Sequence, residues 1–308
     1  MKILLVADRP NWAYDILAKS IKKHSKYPNI DIDYISEMRL DLGESDVTNY
    51  DVVFFFLWYD AMRHGIKIPG FNFKKTCVGI HSLSSWKNRK LNETTASQIC
   101  NQFAASGYIS EEIGSLLSLE NGFLTPNGID SDIFYPSPLN LQDEIRFMWV
   151  GNPGSSHHGL NKGYYSIIEP VFSEYKDKNV KLCLATPENP VQRDQIGNFY
   201  RDNHVLICSS LHEGGPLPVI ESLACGRPVI TTNVGIIPEV IVDGENGFIF
   251  QRSRSGLRDC INKILANPNL LEELSENTAE SVSNRKSTDM VEAYEEMFEF
   301  VYSLNGGD

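Results

Sequence analysis

The chain has 308 residues, 42% of them apolar and 22% charged, about twice the usual length of one domain and enough to fill one or two cores. Its 28 basic and 40 acidic side chains leave a formal net charge of -12, so no broad positive face is expected and nucleic acid is not an expected partner. The longest unbroken apolar run, Val52 to Tyr59, falls well short of the roughly 20 residues that cross a bilayer, and the apolar stretch in MKILLVAD is too short for a signal peptide.

In chain order, apolar runs of strand length alternate with helical pattern. Strands are predicted at Ile3–Ala7, Ile30–Ile35, Val52–Leu57, Thr76–Ile80 and Phe103–Ala105, with helices over Asn11–Lys23 and Ser110–Leu119. A turn-rich segment, Pro126–Pro138, interrupts the alternation. It resumes at Ile145–Val150, Val180–Ala185, Val205–Ser209, Pro228–Thr232 and Gly247–Phe250, and ends in an acidic amphipathic helix, Ser287–Leu304. Strands that are apolar almost throughout are covered on both faces, so the expected class is α/β, with two Rossmann-like lobes of parallel sheet. The expected division is 1–138, 139–285, and a terminal helix 286–308 packing back on the first lobe.

Six cysteines lie far apart, without C-x-x-C pairing and mostly inside apolar runs, the pattern of reduced thiols in a cytoplasmic protein. Charge divides unevenly, since residues 1–138 carry a net -2 and residues 139–308 a net -10. Within the first lobe, residues 61–92 hold Arg63, Lys67, Lys74, Lys75, Lys87, Arg89 and Lys90 with no acidic side chain. With Phe71, Phe73 and Trp86, that stretch reads either as a solvated loop or as a patch that draws an anionic acceptor or an anionic membrane surface.

The chemistry concentrates in Ser209–Phe250, which reads as strand, glycine-proline loop, helix, strand and a second glycine-containing turn. Gly214 and Gly215 let backbone approach a phosphate closely, and the helix expected to start near Leu217 adds unpaired amides. Gly235 ahead of Pro238 offers a second such turn. Glu213 falls at the strand end, where open α/β sheets bind ligands, and Glu221 about one turn inside the helix, where a carboxylate can accept from the cis hydroxyls of a ribose.

The run EGGPLPVIESLACGRPVITTNVGIIPEVIVDGENGFIF closely resembles the E-x7-E signature of retaining glycosyltransferases of the GT-B fold, family 4 in particular. PNGIDSDIFYP resembles that family's interdomain segment, and WVGN with Asn161, Lys162 and Gly163 resembles its phosphate-binding strand and loop. The resemblance implies a two-lobed enzyme whose sheets face across a cleft and which moves a hexose from a nucleotide diphosphate sugar to a hydroxyl of a glycan or lipid-linked acceptor. It implies that Glu221 binds ribose, Glu213 contacts the donor sugar, and Lys162, with the backbone of Gly214, Gly215, Pro216 and Leu217, stabilises the diphosphate. His81, in VGIHSLSSW, resembles the family histidine that faces the sugar, and Ala185–Pro187 and Leu211–His212 would border the base.

Two positions depart from the pattern. Asn152 stands where relatives commonly carry an arginine, leaving one phosphate cation to be replaced by His157, His158 or another basic residue. The first βα turn, ADRPNWAYD, lacks the glycine-rich loop of many relatives. No cofactor beyond the donor substrate is expected, and no metal-ligand spacing surrounds His157–His158. A nucleotide-sugar epimerase of the same fold, or a protein that only binds the nucleotide sugar, would share much of this pattern.

Overall fold

Every residue of Ile3–Ala7 is buried, and the side chains sort alternately: Ile3, Leu5 and Ala7 enter one core cluster, Leu4 and Val6 another. That period of two, apolar on both sides, is what a parallel strand covered by helices on both faces requires. A computed structural model describes residues 1–37, 46–141, 144–154, 161–176 and 179–307. It divides into unit 1, Met1–Gly128 with Ser287–Asp308, and unit 2, Ile129–Lys286.

Unit 1 is a six-stranded parallel sheet in the order β2-β1-β3-β4-β5-β6. The strands are β1 (Ile3–Ala7), β2 (Ile30–Tyr34), β3 (Val52–Phe55), β4 (Thr76–Ile80), β5 (Ala105–Tyr108) and β6 (Gly122–Leu124). One face is covered by helix α1 (Ala13–His24), joined there by the chain's last helix, Ser287–Leu304. That last helix buries Met290, Val291, Tyr294, Met297, Phe298 and Val301 at helical spacing. Phe54 of β3 meets Tyr294 edge-on at 5.4 Å and Phe298 at 5.8 Å. On the same helix the buried Glu295 accepts from Ser25 Oγ at 2.6 Å and Lys26 N at 2.7 Å, satisfying a backbone amide just past the end of α1.

Unit 2 is a five-stranded parallel sheet in the order β11-β10-β9-β7-β8. Its strands are β7 (Ile145–Val150), β8 (Val180–Ala185), β9 (Val205–Cys208), β10 (Val229–Thr231) and β11 (Gly247–Ile249). Ile145, Phe147 and Trp149 point into one core and Met148 into the other. Two further helices shape the site, α2 (Ile196–Arg201) and α3 (Leu217–Ala224); Ser287–Leu304 is α4.

Strands β1, β4, β7 and β8 have the bounds that the apolar runs mark. The fifth strand does not: it is Ala105–Tyr108, with Ala104 N bonded to both Phe73 O at 3.0 Å and Thr76 O at 2.9 Å just before it, and β6 was not expected at all. The division of the chain falls at Gly128, ten residues before the expected 138. The intervening segment packs on unit 2: Phe134 meets Tyr200 at 5.9 Å, and Ile133 O lies against Gly197 so closely that no Cβ fits there. Arg227, fully buried, donates to Ser137 O at 2.8 Å, Ser137 Oγ at 2.9 Å, Asn203 O at 2.8 Å and Arg201 O at 2.7 Å. Burial pulls its guanidinium below its usual pKa.

Residues 61–92 do not form one loop. Lys74 and Lys75 lie in a short 3-10 turn before β4, while Lys87, Arg89 and Lys90 follow it. A five-residue strand, about 16 Å long, separates the two groups along the chain. Trp86 is fully buried, and Phe71 and Phe73 pack on the core, so the aromatic part of the expected surface patch is absorbed in the interior.

Candidate functional site

Parallel pairing brings the C-terminal ends of β7, β9 and β10 to one edge of the unit 2 sheet, and two loops meet there. Asn161 Nδ2 donates to His212 O at 2.8 Å, His212 N returns a bond to Asn161 Oδ1 at 2.9 Å, and Leu211 N reaches Asn161 O at 2.8 Å. Next along, Ser209 Oγ donates to Lys162 O at 2.7 Å. Gly163 is left-handed, with φ of 71°, and a Cβ would meet Ser209 Oγ and Arg252, so the close crossing needs glycine at that position.

This lacing sets Lys162 against Glu213. Lys162 Nζ is 3.3 Å from Glu213 Oε1, and Ser210 Oγ donates to the same oxygen at 2.8 Å. Lys162 is three-quarters buried, and the Glu213 charge raises its pKa above the usual lysine value, so it stays protonated. The glycine loop is fixed from behind. Ile236 N donates to Gly214 O at 2.9 Å, and Gly235, with φ of 55°, has no room for a Cβ against that carbonyl. Pro216 is the N-cap residue of α3 and carries no N–H, so of the four loop residues only Gly214, Gly215 and Leu217 can offer amides.

Glu221 lies one turn into α3, 5% exposed. Arg193 Nη1 donates to Oε1 at 2.9 Å and Tyr200 OH to Oε2 at 2.9 Å. Burial and the Glu221 charge push the Tyr200 hydroxyl well above its usual pKa, keeping it a donor. Sequence reading missed Arg193, Tyr200 and Ser210. The first two stand 28 and 21 residues from Glu221, and no local pattern links them.

Asn152, exposed after β7, accepts from Gly154 N at 2.9 Å and so closes a turn. Pro187 is exposed after β8, in a turn closed by Thr186 N to Asn189 O at 3.1 Å. His157 and His158 lie outside the described residues. Among the described residues, no cluster of three or more His, Cys, Asp or Glu is placed to hold a metal ion, and no helix is long and apolar enough to cross a membrane.

In unit 1, His81 follows β4, 7% exposed, with its ring 4.9 Å from Tyr14 and 6.0 Å from Phe56. Neither ring nitrogen has a hydrogen-bond partner, and burial pushes its pKa down to about 4, so the ring is neutral near pH 7. The first βα turn is anchored by a carboxylate. Buried Asp15 accepts from Asn11 N at 2.7 Å, Lys19 Nζ at 2.7 Å and Tyr34 OH at 2.8 Å, and Asn11 takes a φ of 62°. Trp12, 49% exposed, has the Arg9 guanidinium 4.1 Å over its ring.

Residues 188–281 match the family described as glycosyl transferases group 1. An uncharacterized glycosyltransferase of Methanocaldococcus jannaschii is 33% identical over 88 residues, 28% of this chain, and the chain spans a quarter of that relative's length. Among solved structures, the chain is similar to sucrose-phosphate synthase from Thermosynechococcus elongatus, with a TM-score of 0.70 at 16% identity over 98% of this chain and 99% of that one. It is similar also to Anabaena HepE, solved in complex with UDP and glucose, with a TM-score of 0.68 at 15% identity over 98% and 100% of the two chains. The two parallel-sheet lobes therefore have the GT-B fold, and residues 188–281 match the glycosyl transferases group 1 family model.

Proposed function

We propose that this chain transfers a hexose from a nucleoside diphosphate sugar to a hydroxyl of a glycan or lipid-linked acceptor, retaining the anomeric configuration. The observation that carries the reading is the arrangement at the unit 2 sheet edge. A partly buried cation, Lys162, sits 3.3 Å from Glu213 beside a glycine loop that opens a helix, with Glu221 one turn further on. Lys162 and the amides of Gly214, Gly215 and Leu217 take the diphosphate, Glu221 the ribose and Glu213 a sugar hydroxyl.

In this mechanism the acceptor oxygen attacks the anomeric carbon from the face that the diphosphate leaves. The carbon–oxygen bond to the diphosphate breaks, its electron pair passes to the diphosphate oxygen, and that oxygen takes the acceptor's proton. Lys162 and the amides stabilise the charge that grows there. With the cation supplied by a side chain, we infer that transfer needs no metal and continues in EDTA. Loss on chelation that magnesium or manganese restores would contradict this.

HepE was solved with UDP and glucose, so UDP-glucose is the first donor to try. Contact with an anionic membrane would rest on the basic residues of 61–92, which lie on both sides of β4. The test is a thermal-shift series with UDP, GDP and ADP and their sugars, followed by NMR of the product's anomeric proton. Stabilisation by one nucleotide follows from mass action, and a retained anomer is expected. No shift with any nucleotide, or an inverted product, would overturn the reading.

A further inference from the structure

Glu221 has two carboxylate oxygens and about four lone-pair directions to fill. Two are already taken, one on each oxygen: Arg193 Nη1 on Oε1 at 2.9 Å and Tyr200 OH on Oε2 at 2.9 Å. Both donors are themselves held. Tyr200 is fully buried and meets Phe134 edge-on at 5.9 Å, while the Arg193 guanidinium lies 5.0 Å from the centre of that same Phe134 ring. Arg193 comes from the loop after β8, its side chain 43% exposed, so it approaches the carboxylate from the solvent side while Tyr200 holds it from within. The carboxylate is thereby fixed in one orientation with one acceptor direction left on each oxygen. That remainder matches a pair of neighbouring hydroxyls, each donating one O–H, and does not match a ring with one hydroxyl missing.

We propose that Arg193, with Tyr200, is a positioning residue that orients the Glu221 carboxylate toward both hydroxyls of a ribose, so that this protein selects ribonucleoside diphosphates over their 2′-deoxy counterparts. The proposal rests on the ribose role of Glu221 and adds the residues that make the role selective. A carboxylate without Arg193 keeps its charge and Tyr200 but is free to turn, and it then serves two hydroxyls little better than one. Lysine in place of arginine keeps the charge without the planar fork and recovers the orientation only in part.

The experiment measures dissociation constants of UDP and 2′-deoxy-UDP by calorimetry on the full chain, with GDP and ADP pairs run alongside. The variants are Arg193→Ala, Arg193→Lys and Glu221→Ala, and thermal unfolding checks that each is folded. The wild-type chain is expected to prefer the ribonucleotide by about tenfold or more, in line with two hydrogen bonds to a charged group. Arg193→Ala should lose most of that preference while 2′-deoxy-UDP binding stays within about twofold, and Arg193→Lys should lie between; should the alanine variant unfold, the lysine variant carries the test. Equal weakening of both nucleotides by Arg193→Ala, or an unchanged preference, would overturn the positioning role. If Glu221→Ala abolishes the preference while Arg193→Ala keeps it, only the positioning role fails. A preference that survives Glu221→Ala overturns the ribose seat itself, and no binding of any of the three pairs overturns the nucleotide reading.

Discussion

Lys162 and Glu213 hold each other at 3.3 Å, so the carboxylate keeps the lysine charged and in place for the diphosphate. Lys162→Ala should lower kcat about 100- to 1000-fold, the scale for loss of one group placed against developing charge; a mild effect in steady-state kinetics would mean that another cation serves the diphosphate. Glu213→Gln should leave UDP affinity, read by calorimetry, within about twofold and lower kcat, because its partner is the sugar. His81 makes a different prediction. Its folded pKa is about 4 against an ordinary 6.5, so between those values the unfolded chain binds more protons and stability rises with pH. The contribution, about 3 kcal/mol on the order-of-magnitude conversion, is present above pH 6.5 and lost as pH falls to 4. Thermal unfolding at pH 7 and pH 4 should show His81→Gln losing less stability than the wild type across that interval. The buried His204, also lowered by burial, remains in both proteins as a common background. Equal slopes would mean that the ring is not held neutral in the fold.

At the scale of elements, α4 is the clearest case of a helix whose packing decides its worth. Phe298 is fully buried against Phe54 and Tyr294, and Phe298→Ala should destabilise unit 1 by about 3 to 5 kcal/mol, measured by denaturant unfolding. A loss under about 1 kcal/mol would show that the helix is only loosely seated. Arg227 does comparable work in unit 2, joining the segment at Ser137 to the end of α2 and the loop after α3 through carbonyl oxygens that would otherwise be buried unpaired. Of the elements, the inner strands were legible because their signal is an unbroken apolar run. Strand β6, three residues with its glycine exposed, has no such run, and β5 begins two residues after the apolar run at Phe103 does.

For the whole molecule, the chain leaves unit 1 at Gly128 and returns to it at Ser287, so unit 2 is continuous and unit 1 is closed only by the chain's end. A chain ending at Lys286 should therefore lose the calorimetric transition of unit 1, whose sheet face then lacks Met290, Tyr294, Met297 and Phe298, while UDP still raises the melting temperature of unit 2. Loss of the UDP shift in that truncated chain would place part of the nucleotide seat outside residues 129–286. Read from the sequence alone, the two parallel-sheet lobes, the strand ends that carry Glu213 and His81, and the loop and helix that carry Lys162 and Glu221 were all visible, because apolar period and glycine-proline punctuation are local properties of the chain. Tertiary structure decided the rest. It put Arg193 and Tyr200 on the Glu221 carboxylate, set Lys162 against Glu213, divided the basic residues of 61–92 between the two ends of β4, and assigned residues 129–138 to unit 2. Each of those outcomes depends on which strand ends become neighbours in a sheet, and pairing order is fixed by packing between residues far apart in the chain rather than by any residue's own preferences.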